Sequence, residues 1–159
     1  MIIAHEVTHA FDNNGSKFDY LGNYNNWWKD KDYKKFEKQT HKVAEYYSKY
    51  KVNGIKVDGE LTVGENIADL GSINCITEIS KEKGATKDDF KLLFTSFAKM
   101  WRSKYLDSYQ KLLITTDTHS PDKIRVNATL SSNDYFYEIY KINKLDDMYV
   151  NKNERVRVW

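Results

Sequence analysis

His5-Glu6-Val7-Thr8-His9 is the stretch that decides how this chain folds, because it sets two histidines four residues apart around a glutamate. The apolar spacing of residues 2–12 predicts a helix that ends at Asn13-Asn14-Gly15 in a left-handed stop. Residues four apart share one face of a helix, so both imidazoles can bind a single Zn²⁺ ion. Glu6 projects beside them, where a carboxylate that is not a ligand can take a proton from an attacking water. The stretch therefore predicts a helical metal site with hydrolytic chemistry.

The alternative interpretation of the same stretch is an amphipathic helix with two incidental histidines. Two of the four histidines in the chain fall at ligand spacing, and this coincidence favours the metal site. Such a site needs at least one further ligand.

A second stretch, Glu65-Asn66-Ile67-Ala68-Asp69, offers that ligand on a helix predicted to begin near Thr62 and end at Gly84. Its two carboxylates lie four residues apart on one face, so one can bind the ion while the other reaches a ligand imidazole. Thr62 and Glu65 also have the spacing of a capping box, in which Glu65 would only close the start of the helix. Spacing alone leaves both interpretations of Glu65 open.

The rest of the chain is predicted to be mainly helical, with an irregular connection or short hairpin over residues 52–61. Further helices are predicted over residues 32–52, after a capping box formed by Thr86 and Asp89, on both sides of a turn at Pro121, and over residues 133–142. The closing residues 155–159 alternate in polarity and predict a short strand or a tail. His41 is predicted at the surface, and Cys75 as a small buried residue.

Composition excludes several function classes for this chain of 159 residues. The 25 basic and 23 acidic residues nearly cancel, so no basic surface indicates a nucleic acid or an anionic membrane as partner. No apolar run approaches the roughly 20 residues that a membrane-spanning helix needs. The single cysteine permits no internal disulfide, which favours a reducing compartment such as the cytoplasm.

Three stretches together resemble the catalytic blocks of the neprilysin family of zinc metallopeptidases. They are HEVTHAFD at 5–12, GENIADLG at 64–71 and DTHSPDKIR at 117–125, in the family's order. Further similar segments extend the resemblance over the whole chain: Gly15–Asp19, Gly22-Asn23, Trp27-Trp28, Trp101-Arg102 and Arg155–Trp159. The resemblance implies a mainly α fold, the C-terminal part of a zincin-type metallopeptidase catalytic domain over residues 1–159. In such a domain the H-E-x-x-H helix and the helix of the third ligand lie side by side.

The resemblance also implies roles around the metal. His5, His9 and Glu65 would hold one Zn²⁺ ion per chain and leave its fourth coordination position open. Glu6 would be the general base, and Asp69 would orient His5.

The third block would act on the substrate. Taken alone, residues 117–125 are typical of a polar turn with an exposed histidine. The resemblance instead implies that His119 stabilises the oxyanion of the tetrahedral intermediate and that Asp117 supports His119. Arg125 would hold a carbonyl of the bound peptide after the scissile bond.

The resemblance implies an endopeptidase of oligopeptides that cleaves before large apolar residues, similar to bacterial intracellular oligopeptidases. Family members are several times longer and form two lobes, so the N-terminal lobe and the substrate-binding strand would be absent from this chain. A second hypothesis is therefore a zinc-binding fragment with little catalytic activity, and a third is a metal-free helical interaction module. Apolar surface at the truncated edge predicts self-association.

Overall fold

The computed structural model describes residues 1–159 and is mainly helical, as predicted. Seven α-helices and a two-stranded antiparallel hairpin follow one another along the chain: α1 Ile2–Thr8, α2 Asp30–Tyr47, β1 Lys51–Val52, β2 Ile55–Lys56, α3 Val63–Glu82, α4 Lys87–Met100, α5 Asp107–Thr116, α6 Asp122–Leu130 and α7 Asp134–Tyr140. Short 3-10 turns cover His9–Phe11, Gly15–Lys17 and Lys152–Glu154.

Helix α3 is the central helix of the fold. Its Ile67 and Leu70 join a core with residues of α2, α6 and the C-terminal segment. One turn further on, Ile73 joins a second core with aromatic residues of α4 and α7. Because apolar neighbours surround α3 on several sides, polar residues on this helix are also buried, Asn66 and Asp69 among them. A carboxylate or amide on this helix is therefore held in a fixed place.

Small residues let α1 pack closely against α3. A Cβ atom added to Gly71 would lie 2.6 Å from Thr8 Cγ2, and one added to Gly64 would lie 2.9 Å from Asn13 Oδ1. Ala68 is fully buried between these two positions. Because Gly64, Ala68 and Gly71 recur at helical spacing on one face, this face admits the helix that carries the two histidines. The close packing brings Glu65 next to His5 and His9.

Two predicted helix ends differ from the structure. Helix α2 ends at Tyr47 and not at Val52, because Val52 pairs with Ile55 in a hairpin whose turn residues Asn53 and Gly54 both have positive φ angles. That turn geometry matches the twist of the two strands. The predicted left-handed stop after α1 is also wrong, since residues 13–15 have no positive φ angle. The chain turns there because Asp12 Oδ1 accepts hydrogen bonds from the backbone N–H groups of residues 14 and 15, both at 2.7 Å.

The remaining helices agree with the sequence pattern. Helix α3 ends before Gly84, whose φ angle is 75°, and the capping box of Thr86 and Asp89 opens α4. The C-terminal residues form a tail, in which buried Val156 and Val158 enter the main core. No helix combines the length and the apolar character that crossing a lipid bilayer requires.

The predicted burial of Cys75 is wrong, because its side chain is exposed. Ile73 and Thr77 of α3 are buried, and Cys75 projects from the opposite side of the helix, about 200° from both. His41 is exposed, as predicted. The cytoplasmic location inferred from the cysteine content stays a prediction.

Candidate metal centre

Three side-chain atoms from α1, the turn after it and α3 converge on one point. His5 Nε2 lies 3.1 Å from His9 Nε2 and 3.1 Å from Glu65 Oε2, and His9 Nε2 lies 3.6 Å from the same oxygen. The helix spacing in H-E-x-x-H accounts for the first pair, and the close packing of α1 on α3 accounts for the carboxylate. All three atoms lie within 4.8 Å of one another.

These separations fit a tetrahedral zinc ion. Ligand atoms about 2.0–2.1 Å from zinc are about 3.3 Å apart along the edges of a tetrahedron. The observed separations of 3.1 to 3.6 Å bracket that value. Glu65 Oε2 is buried and makes no hydrogen bond of good geometry, so the oxygen is available to a cation. Two imidazoles and one carboxylate form a donor set that zinc favours, and they leave a fourth position open.

A carboxylate lies behind each imidazole. His5 Nδ1 hydrogen-bonds Asp69 Oδ1 at 2.9 Å, and His9 Nδ1 hydrogen-bonds Asp12 Oδ2 at 2.7 Å. Both carboxylates are buried. Such bonds fix the tautomer and the ring orientation, so that both Nε2 atoms face the centre. The sequence analysis assigned no role to Asp12, although its position three residues after His9 on a helical segment could have indicated this contact.

The contacts of Thr62 exclude one of the two interpretations of Glu65, the capping box. The Thr62 side chain makes no capping hydrogen bond to α3. Its hydroxyl donates to the carbonyl of Asp58 at 2.9 Å and accepts from Asn66 Nδ2 at 3.0 Å. Glu65 therefore takes no part in a capping box at the start of α3, and its carboxylate lies next to the two histidines.

The histidines and carboxylates at the centre shift one another's pKa values. Burial alone would lower the pKa of His5, but the hydrogen bond to Asp69 and the close contact with the Glu65 carboxylate outweigh burial and raise that pKa to about 9. Burial alone would raise the pKa of Glu65, but the imidazoles of His119 and His5, 3.2 and 3.1 Å from its Oε2, outweigh burial and hold that pKa well below the usual range. Without a metal ion, the proton that His5 keeps at neutral pH partly offsets the carboxylate charges.

Arg125 connects the centre to α6. Its Nε donates to Asp69 Oδ2 at 2.7 Å and its Nη2 donates to Asp69 Oδ1 at 2.9 Å, which forms a bidentate pair. Only 3% of Arg125 is exposed, and the ring of Trp101 lies over the guanidinium with its centroid 3.8 Å from Cζ. The sequence analysis predicted Arg125 at the site but not its pairing with Asp69. It named Trp101 only among the segments that extend the family resemblance, and no local spacing indicates the contact with Arg125.

His119 lies on the loop between α5 and α6. Its Nε2 is 3.2 Å from Glu65 Oε2, and its Nδ1 is 2.8 Å from Asp117 Oδ1, which also accepts from the backbone N–H of His119. Hydrogen bonding to Glu65 raises the pKa of His119, and pairing with Asp117 raises it further against the opposing effect of burial. Burial alone would raise the pKa of Asp117, but the bonds from His119 outweigh burial and lower it. The loop thus presents the imidazole of His119 at the edge of the centre, beside Glu65 Oε2.

Glu6 is the remaining predicted residue of the site. It is exposed on α1 between the two histidines, and no side chain of the chain hydrogen-bonds it. Its carboxylate is therefore accessible to water and to a substrate. All eight site residues predicted from the sequence lie on α1, the turn after it, α3, and the loop and helix at residues 117–130.

Comparison with known proteins places the chain among metallopeptidases. The family model described as peptidase family M13 matches residues 1–156. The chain is 38% identical over 159 residues to a neutral endopeptidase of Lactococcus lactis, with 99% of this chain and 25% of that protein aligned. It is 35% identical over 171 residues to neprilysin-3 of Drosophila melanogaster, with 100% of this chain and 22% of that protein aligned. The chain therefore spans about a quarter of the length of these relatives.

Solved structures share the fold. PepO from Lactobacillus rhamnosis superposes with a TM-score of 0.93 at 30% identity, over 98% of this chain and 24% of that one. The zinc metalloprotease Zmp1 of Mycobacterium tuberculosis, in complex with an inhibitor, superposes with a TM-score of 0.89 at 29% identity, over 98% and 26%.

Proposed function

Because this chain belongs to peptidase family M13, the family that includes the neprilysins, we propose that it is the bond-cleaving part of a zinc endopeptidase acting on oligopeptides. In this proposal residues 1–159 are the C-terminal part of the catalytic domain. One observation carries the proposal: the donor atoms of His5, His9 and Glu65 converge at tetrahedral spacing, and the exposed Glu6 follows His5 directly on the same helix. His5, His9 and Glu65 would hold one zinc ion.

Zinc, when bound, supplies a Lewis acid that polarises the peptide carbonyl and lowers the pKa of water. Glu6 takes the proton from the water that attacks the carbonyl carbon and delivers it to the leaving amine. His119, oriented by the bond of its Nδ1 to Asp117, donates a hydrogen bond from Nε2 to the oxygen on which negative charge develops. Asp69 and Asp12 hold the two imidazoles so that neither histidine turns away from the centre.

Arg125 has a double role in the proposal. Its Nε and Nη2 groups are committed to Asp69, while its Nη1 group makes no hydrogen bond to the protein and is left for a peptide carbonyl. The preference for cleavage before large apolar residues rests on the family resemblance. Both are proposals about how the peptide is held.

A peptidase assay with and without a chelator tests the proposal. Zinc-loaded chain should hydrolyse short apolar peptides, and the chelator should abolish that activity until zinc is restored. Zinc bound at one ion per chain without turnover would instead favour the second hypothesis, a zinc-binding fragment, which the one-quarter coverage of the relatives makes the main competitor. A chain that binds no zinc would contradict both.

Zinc affinity is expected to rise with pH. His5 has a pKa of about 9 in the metal-free protein, and its proton must leave before Nε2 can bind the ion. The affinity should therefore increase about a hundredfold between pH 6.5 and pH 9, measured by competition with a chromophoric chelator. The stability of the metal-free fold should change with pH in the opposite direction. The raised pKa of His5 stabilises the fold fully below about pH 6.5, and this contribution is lost as the pH rises through about 9. As a control, His41→Ala removes an exposed histidine and should alter neither pH dependence. A zinc affinity that does not change above pH 7 would contradict the predicted rise of affinity with pH.

Self-association stays a prediction of the proposal. Ile2, Ile3, Val7 and Phe11 are between 45% and 82% exposed along α1 and the turn after it, and exposed apolar side chains that follow one another along a helix favour association. Light scattering should show larger species that Val7→Lys dissociates. A monodisperse monomer at every concentration would contradict the prediction.

A further inference from the structure

The loop that carries His119 is anchored by a single buried residue. Among residues 117–121, Ser120 is the buried one, with 2% of its surface exposed. The His119 side chain itself is 45% exposed, so packing alone does not hold its ring. The anchor of the loop is therefore the residue directly after the histidine.

Ser120 is held by α3. Its hydroxyl donates to Asn66 Oδ1 at 2.8 Å, and Asn66 Nδ2 donates to Thr62 Oγ1 at 3.0 Å. The Thr62 hydroxyl in turn donates to the Asp58 carbonyl at 2.9 Å. Asn66 is fully buried and Thr62 is 1% exposed. Every donor in this chain of bonds has an acceptor, and such buried networks hold their members in one arrangement.

Asn66 is the residue directly after Glu65, so the network joins the neighbours of two site residues. The bond between Ser120 and Asn66 thereby sets the distance between His119 and Glu65, whose side chains lie 3.2 Å apart. We propose that Ser120 and Asn66 are positioning residues, which act through His119 by fixing its ring over the metal centre. This inference rests on the proposed function, because the charge that His119 would stabilise arises only in peptide hydrolysis.

An amide and a hydroxyl suit this role for a physical reason. Asn66 offers an acceptor to Ser120 and a donor to Thr62 at the same time, which a carboxylate or an apolar side chain does not. Loss of either partner leaves a buried polar group unpaired and frees the loop to move. A displacement of His119 by a fraction of an ångström to 1 Å weakens its bond to the developing oxyanion far more than it weakens substrate binding.

The kinetic test uses the dependence of the effect on His119. In the zinc-loaded chain, Ser120→Ala and Asn66→Ala should each lower kcat by about three- to thirtyfold with KM and zinc content unchanged. In a His119→Ala background, Ser120→Ala should change kcat by less than about twofold, because the residue through which it acts is gone. Thr77→Val is the matched control, since it removes a buried hydroxyl of α3 that bonds the carbonyl of Ile73, and it should leave kcat unchanged. An unchanged kcat in Ser120→Ala, or an equal loss in the His119→Ala background, would overturn the inference.

A second measurement decides the inference even if the proposed function fails and the chain has no turnover. Backbone ¹⁵N relaxation of the zinc-loaded chain should give the amide of His119 an order parameter near 0.85, which falls below about 0.7 in Ser120→Ala. The order parameters of α3 should stay unchanged, which separates release of the loop from general unfolding. An ordered His119 amide in both Ser120→Ala and Asn66→Ala would overturn the inference.

Discussion

Glu6→Gln should abolish peptide hydrolysis and leave zinc bound. Glu6 is exposed between the two histidines and makes no hydrogen bond that supports the fold, so the amide should fit without cost. A glutamine side chain cannot accept the proton of the attacking water. Loss of a general base lowers the rate by typically 10²- to 10⁴-fold, and we expect kcat to fall by about that factor. The measurement is the initial rate on a short apolar peptide, together with zinc content by elemental analysis.

Glu78→Gln is the matched control for this substitution. Glu78 is an exposed glutamate on α3, so the same change of charge is made away from the centre and should leave kcat within about twofold of the unaltered chain. If Glu6→Gln retained more than a tenth of the activity at full zinc content, Glu6 would not be the base. The proposed mechanism would then have to be abandoned.

Helix geometry explains why the positions of the two histidines could be predicted from the sequence. The positions of His5 and His9 follow from helix spacing alone, as does the bond from His9 to Asp12 three residues later. Glu65 needed more than spacing, because a capping box and a metal ligand have the same local pattern. The small residues Gly64 and Gly71 let α1 approach and so bring Glu65 next to the two histidines, and that effect exists only after the helices pack.

Long-range contacts explain what the sequence could not give. The pair Asp69 and Arg125 is separated by 56 residues, and Asn66 and Ser120 are separated by 54. No periodicity relates such positions, and their pairing depends on how α6 and its preceding loop lie on α3. The family resemblance placed His119 and Arg125 at the site, but it did not specify which buried groups hold them.

Replacement of Asp69 should destabilise the fold and weaken zinc binding together. Asp69→Asn leaves Arg125, 3% exposed, without its ionic partner and places an amide against His5 Nδ1. Removal of one partner of a buried ion pair costs about 3–5 kcal/mol of unfolding free energy, because an uncompensated charge remains. Loss of the carboxylate behind a ligand imidazole lowers metal affinity about 10- to 100-fold. Urea unfolding of the metal-free chain measures the first effect, and a chelator competition measures the second.

Asp134→Asn is the control that compares the buried ion pair of Asp69 with a more exposed one. Asp134 also pairs with two arginines, Arg155 and Arg157, but its side chain is 41% exposed. Arg157 is 52% exposed, so water can solvate its charge, and Arg155, 11% exposed, keeps its bond to the Val150 carbonyl and its place over the Tyr137 ring. The cost should therefore stay well below that of Asp69→Asn, and zinc affinity should not change. The double variant Asp69→Leu with Arg125→Met removes both charges and should recover most of the lost stability but none of the lost zinc affinity. Equal losses of stability in Asp69→Asn and Asp134→Asn would contradict this account, because burial of the carboxylate would then not determine the cost of removing its charge.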